Sequence, residues 1–427
     1  AQVSRHIRKM MITAPVSENV VKEIFKEYEK LGHNVLVAVR SSATSEDSKE
    51  ASFAGQQETF LNVSGETVLI EKVREAWASL FQARAVYYRH DAKMDHLKTG
   101  IALVVQRMVQ SDTSGVMFTA DPVTGSRERV IIEAIYGLGE YIVQGVVTPD
   151  HYEVSKFDEK ILDKQIKEQT VKLIKSGHEN IEVKVSKTDL DKQKISDAHI
   201  SALAKLGINL EKHYYFPQDV EWAIENNNVY IVQTRPITTL DKIQTNGPQM
   251  GTISTSEHAI LIGSPASPGI GVGSAKLIHS VSDSSSFKPG MILVAKSTNP
   301  DFVPIMKKAA AIITQEGGRT SHAAIVSREY GIPAVVGAPL AMQKLKDDMV
   351  ITVNGSTGNI YKGSMKVEVT QKKQQDLKTA TKVYVNLAEP ELASKISAYP
   401  VDGIGLLRAE FIIAHIGKHP KKFIEEG

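Results

Sequence analysis

His322, in the run GGRTSHAAI (317–325), has the most chemistry gathered around it. AAAIIT (309–314) reads as a strand and QEGGR (315–319) as a glycine-rich turn. HAAIVSREY then reads as a helix that Ser321 or Thr320 can cap and that Gly331 and Pro333 end. His322 is thereby expected in the first helical turn, where unpaired N–H groups and the helix dipole favour negative charge. An imidazole placed there is biased toward the neutral form that a nucleophile needs. Gly317, Gly318 and Arg319 can hold the oxygens of a phosphoryl group carried on it. The alternative is a surface histidine at a helix start, with no chemistry attached.

A second constellation lies at 219–237, where DVEWAI and VYIVQTRPI form a hairpin joined at Asn226-Asn227-Asn228. With the three asparagines as the loop, Glu225 faces Val229, Glu221 faces Gln233 and Asp219 faces Arg235. Strand alternation puts the last four on one face and Val220, Trp222 and Ile224 on the other. Two carboxylates, an amide and a guanidinium on one surface suit Mg²⁺ with a polyphosphate. A solvated hairpin face with cross-strand ion pairs is the alternative.

The elements that must hold these groups read as a multidomain α+β and α/β chain. Ser17 can cap a helix through Leu31, with Val20, Val21, Ile24, Phe25, Tyr28 and Leu31 at helical spacing. A strand is expected at 35–43, a long helix from about Glu66 to His90, and strands at 101–109, 114–119 and 129–135, with Asp121-Pro122 and Thr124-Gly125 marking a turn. The polar stretches 241–257 and 366–382 read as linkers flanking a compact segment, 258–365. If each linker extends at ~3.3 Å per residue, either can reach on the order of 40–55 Å. Residues 383–413 read strand, helix, strand, helix, the opening of a parallel α/β unit.

Composition narrows the classes. In 427 residues, 51 basic residues against 49 acidic ones leave a net charge of +2, which gives no argument for nucleic acid or membrane as partner. The absence of cysteine excludes disulfides, thiolate nucleophiles and Cys-ligated zinc, and a cytoplasmic location is expected. No apolar run has the length of a membrane span, and the start AQVSRHIRKM has neither a signal-peptide core nor an initiator Met, so a fragment is expected.

GGRTSHAAIVSREYGIPAVVG (317–337) resembles the phosphohistidine signature of the phosphoenolpyruvate-utilising family, across some twenty positions. The resemblance implies that His322 carries a phosphoryl group between two sites. It also implies that Thr320 is a site of regulatory phosphorylation by a dedicated kinase/phosphorylase, with a plain helix cap as the alternative role. Residues 1–240 are similar to the family's ATP-grasp half. VAVRSSATSED (37–47) places a phosphate-contacting arginine at Arg40, and ASFAGQQETFLNV (51–63) resembles a glycine-containing phosphate loop. EWAIENNNVYIVQTRP gives Glu221 and Gln233 as metal and phosphate ligands, with Asp219 and Arg235 as companions. EAIYGLGE (133–140) is similar to a stretch near the nucleotide and puts Glu133 among the nucleotide-binding residues, although its Gly-x-Gly is otherwise a simple turn signal. GIGLLRAEFII (403–413) resembles the start of a (β/α)8 barrel whose arginine binds phosphoenolpyruvate or pyruvate, here Arg408; an Arg408–Glu410 pair at a helix start is the alternative.

Together these imply an ATP-grasp-like half over 1–240, a swivelling β/α phosphohistidine domain over 258–365 and the start of the barrel over 383–427. The implied reaction takes ATP, pyruvate and water to AMP, phosphoenolpyruvate and phosphate with Mg²⁺, in a homodimer formed through the barrel. RAEFII followed by IGKHP resembles the synthase branch more than the dikinase branch, which remains the nearest alternative. The family's lysine-bearing segment, roughly lysine-glycine-alanine-asparagine-leucine-glycine, has no counterpart before VSRHIRKM, and a barrel needs roughly 250 residues. A non-catalytic phosphoacceptor or nucleotide-binding regulator is therefore the competing class.

Overall fold

The computed structural model describes residues 2–43, 58–91, 94–96, 98–177, 179–237, 240, 251–253, 258–365, 367–369, 380–387, 393–397 and 401–407. The chain divides into two compact units, Ala1–Val369 and Thr370–Gly427.

The first unit begins with helices α1 (Gln2–Thr13) and α2 (Glu18–Leu31). Ser17 occupies the cap position of α2, but its side chain makes no capping bond. The expected apolar stripe is only partly buried: Tyr28 is enclosed while Val20 and Leu31 are exposed. The Tyr28 hydroxyl instead fixes the helix, donating to the Val35 carbonyl at 2.6 Å and accepting from the Gly65 amide at 3.1 Å. Strands β1 (Val37–Ala43), β2 (Thr59–Val63) and β3 (Ile101–Arg107) form an antiparallel sheet with β1 central. Val37 and Val39 are fully buried on one face, so alternation carries Arg40 onto the other.

The single helix expected over 66–90 is two helices, α3 (Glu66–Ala78) and α4 (Ala83–Asp91), with a 3₁₀ turn at Ser79–Phe81 and an extended Gln82 between them. The break frees the Leu80 carbonyl, and the buried Arg89 guanidinium donates to it at 2.7 Å. Helical spacing continues across such a break, so periodicity alone does not show it.

Strands β4 (Thr113–Phe118), β5 (Arg129–Tyr136), β6 (Asp150–Ser155) and β7 (Ile161–Gln165) follow. After α5 (Glu140–Val143), a separate hairpin of β8 (Val171–Ser176) and β9 (Glu179–Lys184), and helix α6 (Asp197–Tyr214), come β10 (Gln218–Glu225) and β11 (Asn228–Pro236). The six-stranded antiparallel sheet runs β11-β10-β4-β5-β6-β7. Met117, Ile132, Tyr152, Val220 and Trp222 face α6, whose Ile200, Leu203 and Ala204 close that core. Beneath the sheet the fully buried Asp150 accepts from the Lys194 ammonium at 3.0 Å, the Tyr152 hydroxyl at 2.7 Å and the backbone amides of Lys167 and Lys194. Lys194→Met leaves that carboxylate without its counter-charge and is expected to destabilise the fold by about 3–5 kcal/mol. Urea unfolding measures this, and a loss below about 1 kcal/mol would mean that the amides alone suffice.

The hairpin register differs from expectation in an informative way. The turn has two residues, Asn226 and Asn227, both at positive φ, so Glu225 pairs with Asn228 and not Val229. Val232 is then an extra residue on β11, a bulge that restores the pairs Glu221–Gln233 and Asp219–Arg235.

An eight-stranded sheet follows, built from β13 (Leu261–Ile262), β14 (Ser264–Ser267), β15 (Ile270–Ile278), β16 (Ile292–Ala295), β17 (Ala311–Thr314), β18 (Ala334–Val336), β19 (Val350–Asn354) and β20 (Asn359–Lys362). Its order is β13-β20-β19-β15-β16-β17-β18-β14, and β15 to β18 are parallel. ILVA and AIIT are buried throughout, as strands covered on both faces must be. Short α7 (Val303–Met306), α8 (His322–Tyr330) and short α9 (Ala341–Lys344) cover it, with Ala323, Ala324 and Val326 of α8 on one face.

The two stretches expected as separate linkers meet each other where they are described. Strand β12 (Gly251–Ile253) pairs antiparallel with β21 (Val367–Val369), Thr252 opposite Glu368. Complementary short runs of backbone gain a ladder by pairing, which a reading of each stretch alone does not foresee. In the second unit, β22 (Tyr384–Leu387) and β23 (Gly403–Leu407) are parallel with α10 (Ala393–Ile396) between them, the expected strand–helix–strand. Arg408 and Glu410 lie outside the described residues, as do 44–57, most of the expected phosphate loop. No helix among the described residues is long and apolar enough to cross a membrane.

Candidate active site

Glu221 is the centre of the hairpin cluster. Its Oε2 accepts from Arg40 Nη2 at 2.6 Å and its Oε1 from Arg235 Nη2 at 3.2 Å. The same Arg40 nitrogen also donates to Gln233 Oε1. Arg40 arrives from a different sheet, and Gln106 Nε2 on β3 of that sheet donates to the carbonyl of the bulged Val232 at 3.0 Å. Gln106 and Arg40 project from the same face of their sheet, since Gln106 pairs with Ala38 and Val104 with Arg40. The bulge thus corrects the register and also seats the sheet that delivers Arg40.

Glu221 Oε2 and Gln233 Oε1 converge on one cationic nitrogen. Two hard oxygens on a shared point are a donor set that Mg²⁺ takes together with phosphate oxygens. Among the described residues no group of three or more His, Cys, Asp or Glu could hold a metal; at this point Glu221 and Gln233 would offer two oxygens, and a bound polyphosphate would supply others.

Directly opposed residues place further groups on that face. A transverse row runs Gln233, Glu221, Val116, Glu133, His151, and the next runs Arg235, Asp219, Phe118, Ile131, Glu153. Glu133 therefore shares the face with Glu221 but stands two strands away, roughly 10 Å at the usual strand spacing. Both its oxygens are engaged by the His322 loop: Oε1 accepts the Arg319 N–H at 2.9 Å and Oε2 the Thr320 hydroxyl at 2.9 Å. Thr320 is thus not the helix cap. Ser321 holds that position, without a side-chain capping bond.

The loop follows β17, at the carboxyl end of a parallel strand, where α/β sheets present their ligands. Gly317 turns it at φ +100°, a conformation that residues with a side chain rarely adopt. His322 is 8% exposed, and its Nδ1 shares a 2.9 Å hydrogen bond with the Thr298 hydroxyl. With Nδ1–H donating to Thr298, the lone pair lies on Nε2, the tautomer a nucleophile requires. Ser321 Oγ and Arg319 Nε, both buried, have no hydrogen-bond partner among the described residues and can receive phosphoryl oxygens. Arg319 also pairs with Asp121 at 3.6 Å. Burial pulls the Arg328 guanidinium on α8 down to about 10, against the opposing pull of Asp219 and Glu133.

Thr298 and Asp121 carry roles that residue spacing does not assign. Thr298 lies three residues beyond β16, whose end pairs with the end of β17, so its signal was the parallel alignment of ILVA with AIIT. Asp121 reads as a turn residue and is one, its Oδ1 accepting the Val123 amide at 2.8 Å. If His322 takes up a phosphoryl group, Thr298→Val is expected to slow that step by about 10- to 100-fold, the cost of losing a partner that orients a histidine, with Thr298→Ser close to wild type. Rapid-quench labelling separates the two; equal rates in all three proteins would remove Thr298 from the site.

Residues 1–253 match the family described as pyruvate phosphate dikinase, AMP/ATP-binding domain, residues 287–358 the PEP-utilising enzyme mobile domain, and residues 362–426 the PEP-utilising enzyme PEP-binding domain. The chain is 46% identical to phosphoenolpyruvate synthase of Pyrococcus furiosus, over 99% of this chain and 54% of that protein. A probable phosphoenolpyruvate synthase of Archaeoglobus fulgidus is 46% identical, over 100% and 57%. The phosphoenolpyruvate synthase of Aquifex aeolicus is 42% identical, over 95% and 51%. The chain spans about half the length of these relatives. With three successive segments matching three successive parts of one enzyme type, the chain belongs to the phosphoenolpyruvate-utilising enzyme family.

Proposed function

We propose that this chain loads a phosphoryl group from ATP onto His322, as the first half of phosphoenolpyruvate synthesis from pyruvate. The observation that carries the reading is the seating of the His322 loop on the sheet face that also bears Glu221 and Gln233. His322 Nε2 attacks the β-phosphorus of ATP, the bond to the α-phosphate oxygen breaks, and AMP leaves with the electron pair. Water then attacks the γ-phosphorus, releasing orthophosphate and leaving one phosphoryl group on Nε2. Pyruvate loses a methyl proton to become its enolate, whose oxygen bonds to phosphorus as the Nε2–P bond breaks, giving phosphoenolpyruvate and restoring the imidazole.

Arg40 and Arg235 hold the polyphosphate, and Glu221 orients both guanidiniums. Mg²⁺ on Glu221 and Gln233 would offset phosphate charge during transfer. Asp219 completes the hairpin cluster, and Arg319 and Ser321 receive the transferred group. Pyruvate binds in a barrel that opens with residues 383–427, with Arg408 as a substrate ligand. Cytoplasmic location, a homodimer through the barrel and phosphorylation of Thr320 by a regulatory kinase belong to the same reading; a dianion at Thr320 would repel the Glu133 carboxylate that accepts its hydroxyl.

The test is incubation with Mg²⁺ and ATP labelled at the β- or the γ-phosphate. Acid-labile, base-stable β-label on the protein, with γ-label released as orthophosphate in water alone, supports synthase chemistry. The matched family's name favours one second reading, a dikinase, in which release of the γ-phosphoryl group depends on added phosphate. Absence of β-label from the full-length protein sinks both.

A further inference from the structure

Glu133 is 2% exposed, and each of its oxygens serves the carrier loop and not the hairpin cluster. Thr320 is 3% exposed and spends its hydroxyl on this one acceptor. Beside them Asp121, from the turn after β4, pairs with Arg319 at 3.6 Å. The backbones meet as closely as the side chains. A methyl group on Gly318 would lie 2.5 Å from the Pro149 ring and 2.8 Å from Glu133 Oε2, so only glycine fits between the halves. Gly145 in the same loop approaches Ser321 in the same way, with 3.0 Å left for a Cβ. These acceptors and walls come from residues 121–149, and the donors to them are Arg319 and Thr320.

We propose that Glu133 is a docking residue: it recognises the Arg319–Thr320 step of the carrier loop and, with Asp121, fixes where His322 halts over the nucleotide face. This rests on the reading that His322 is loaded from ATP. A carboxylate that accepts both a backbone amide and the next hydroxyl senses position and direction of the loop together, because shifting the loop by one residue breaks both bonds. A nucleotide ligand in this place would have to give up both partners first.

Two labelling routes to His322 test this. One uses β-labelled ATP with Mg²⁺, which requires the dock; the other uses phosphoramidate, a small phosphoryl donor that requires only an accessible imidazole. Loss of a buried charge-assisted bond in Glu133→Gln is expected to slow labelling from ATP by about tenfold or more. Labelling from phosphoramidate should become faster, because the docked loop shields His322. Gly318→Ala should behave alike, since the nearest atoms to its new methyl belong to the other half and neither half's own folding is disturbed. Thr320→Ser should keep the wild-type rate and Thr320→Val should lose it.

Wild-type labelling from ATP in Glu133→Gln overturns the proposal. So does a raised ATP requirement with an unchanged rate at saturation, which would make Glu133 a nucleotide ligand. Should the wild-type protein take no label from ATP, the loading reading fails by itself. The dock is then judged by phosphoramidate alone, where equal rates in wild type and Glu133→Gln overturn it.

Discussion

His322→Asn is expected to take up no acid-labile label from β-labelled ATP, a loss on the order of 10⁴-fold or more. Asparagine removes the ring nitrogen that would attack phosphorus while keeping a polar atom near Thr298. The dock should persist, because it depends on the Arg319 amide and the Thr320 hydroxyl and not on the imidazole. Equilibrium binding of ATP should therefore stay close to wild type while transfer disappears. Label remaining at the wild-type level would mean that another side chain is the acceptor, and peptide mapping would find it.

Glu221→Ala should cost about 10²- to 10³-fold in the same transfer, the range for removing one preorganised electrostatic contact from a phosphoryl-transfer site. Two guanidiniums, from Arg40 and Arg235, share this carboxylate, and its removal leaves like charges facing each other. The variant also keeps only Gln233 of the two oxygens assigned to Mg²⁺, so the Mg²⁺ concentration for half-maximal AMP formation should rise. Glu221→Asp should fall between the two. An unchanged Mg²⁺ requirement in Glu221→Ala would reduce Glu221 to an ion-pair partner of the arginines.

The hairpin shows how far sequence reasoning reaches here. Pairing of Glu221 with Gln233 and of Asp219 with Arg235 was legible, but through an asparagine loop one residue too long. The bulge at Val232 cancels that error, because an added residue on one strand and a shortened turn shift the register in opposite senses. Alternation alone then put Trp222 and Val220 correctly against α6. The strand, glycine turn and helix around His322 were equally legible, each having a local signal. What was not legible is contact at long separation. Arg40 meets Glu221 across 181 residues and Arg319 meets Glu133 across 186, and no periodicity encodes either meeting. Thr320 illustrates the cost: next to a helix start it reads as a cap, yet its acceptor lies in another sheet.

The pairing of β12 with β21 bears on how such a carrier would travel. Two independent tethers let a load wander through a sphere, and at a radius of ~40 Å this dilutes it to roughly millimolar concentration at either target. Where entry and exit strands are laced side by side, as at Thr252 and Glu368, the attachment would act as a bearing. Motion about a bearing has an axis and traces an arc, so a carrier attached in this way would have its destinations set by direction as much as by reach. A swing of that kind would be a rotation between two stops, and the proposed dock at Glu133 would be one of them.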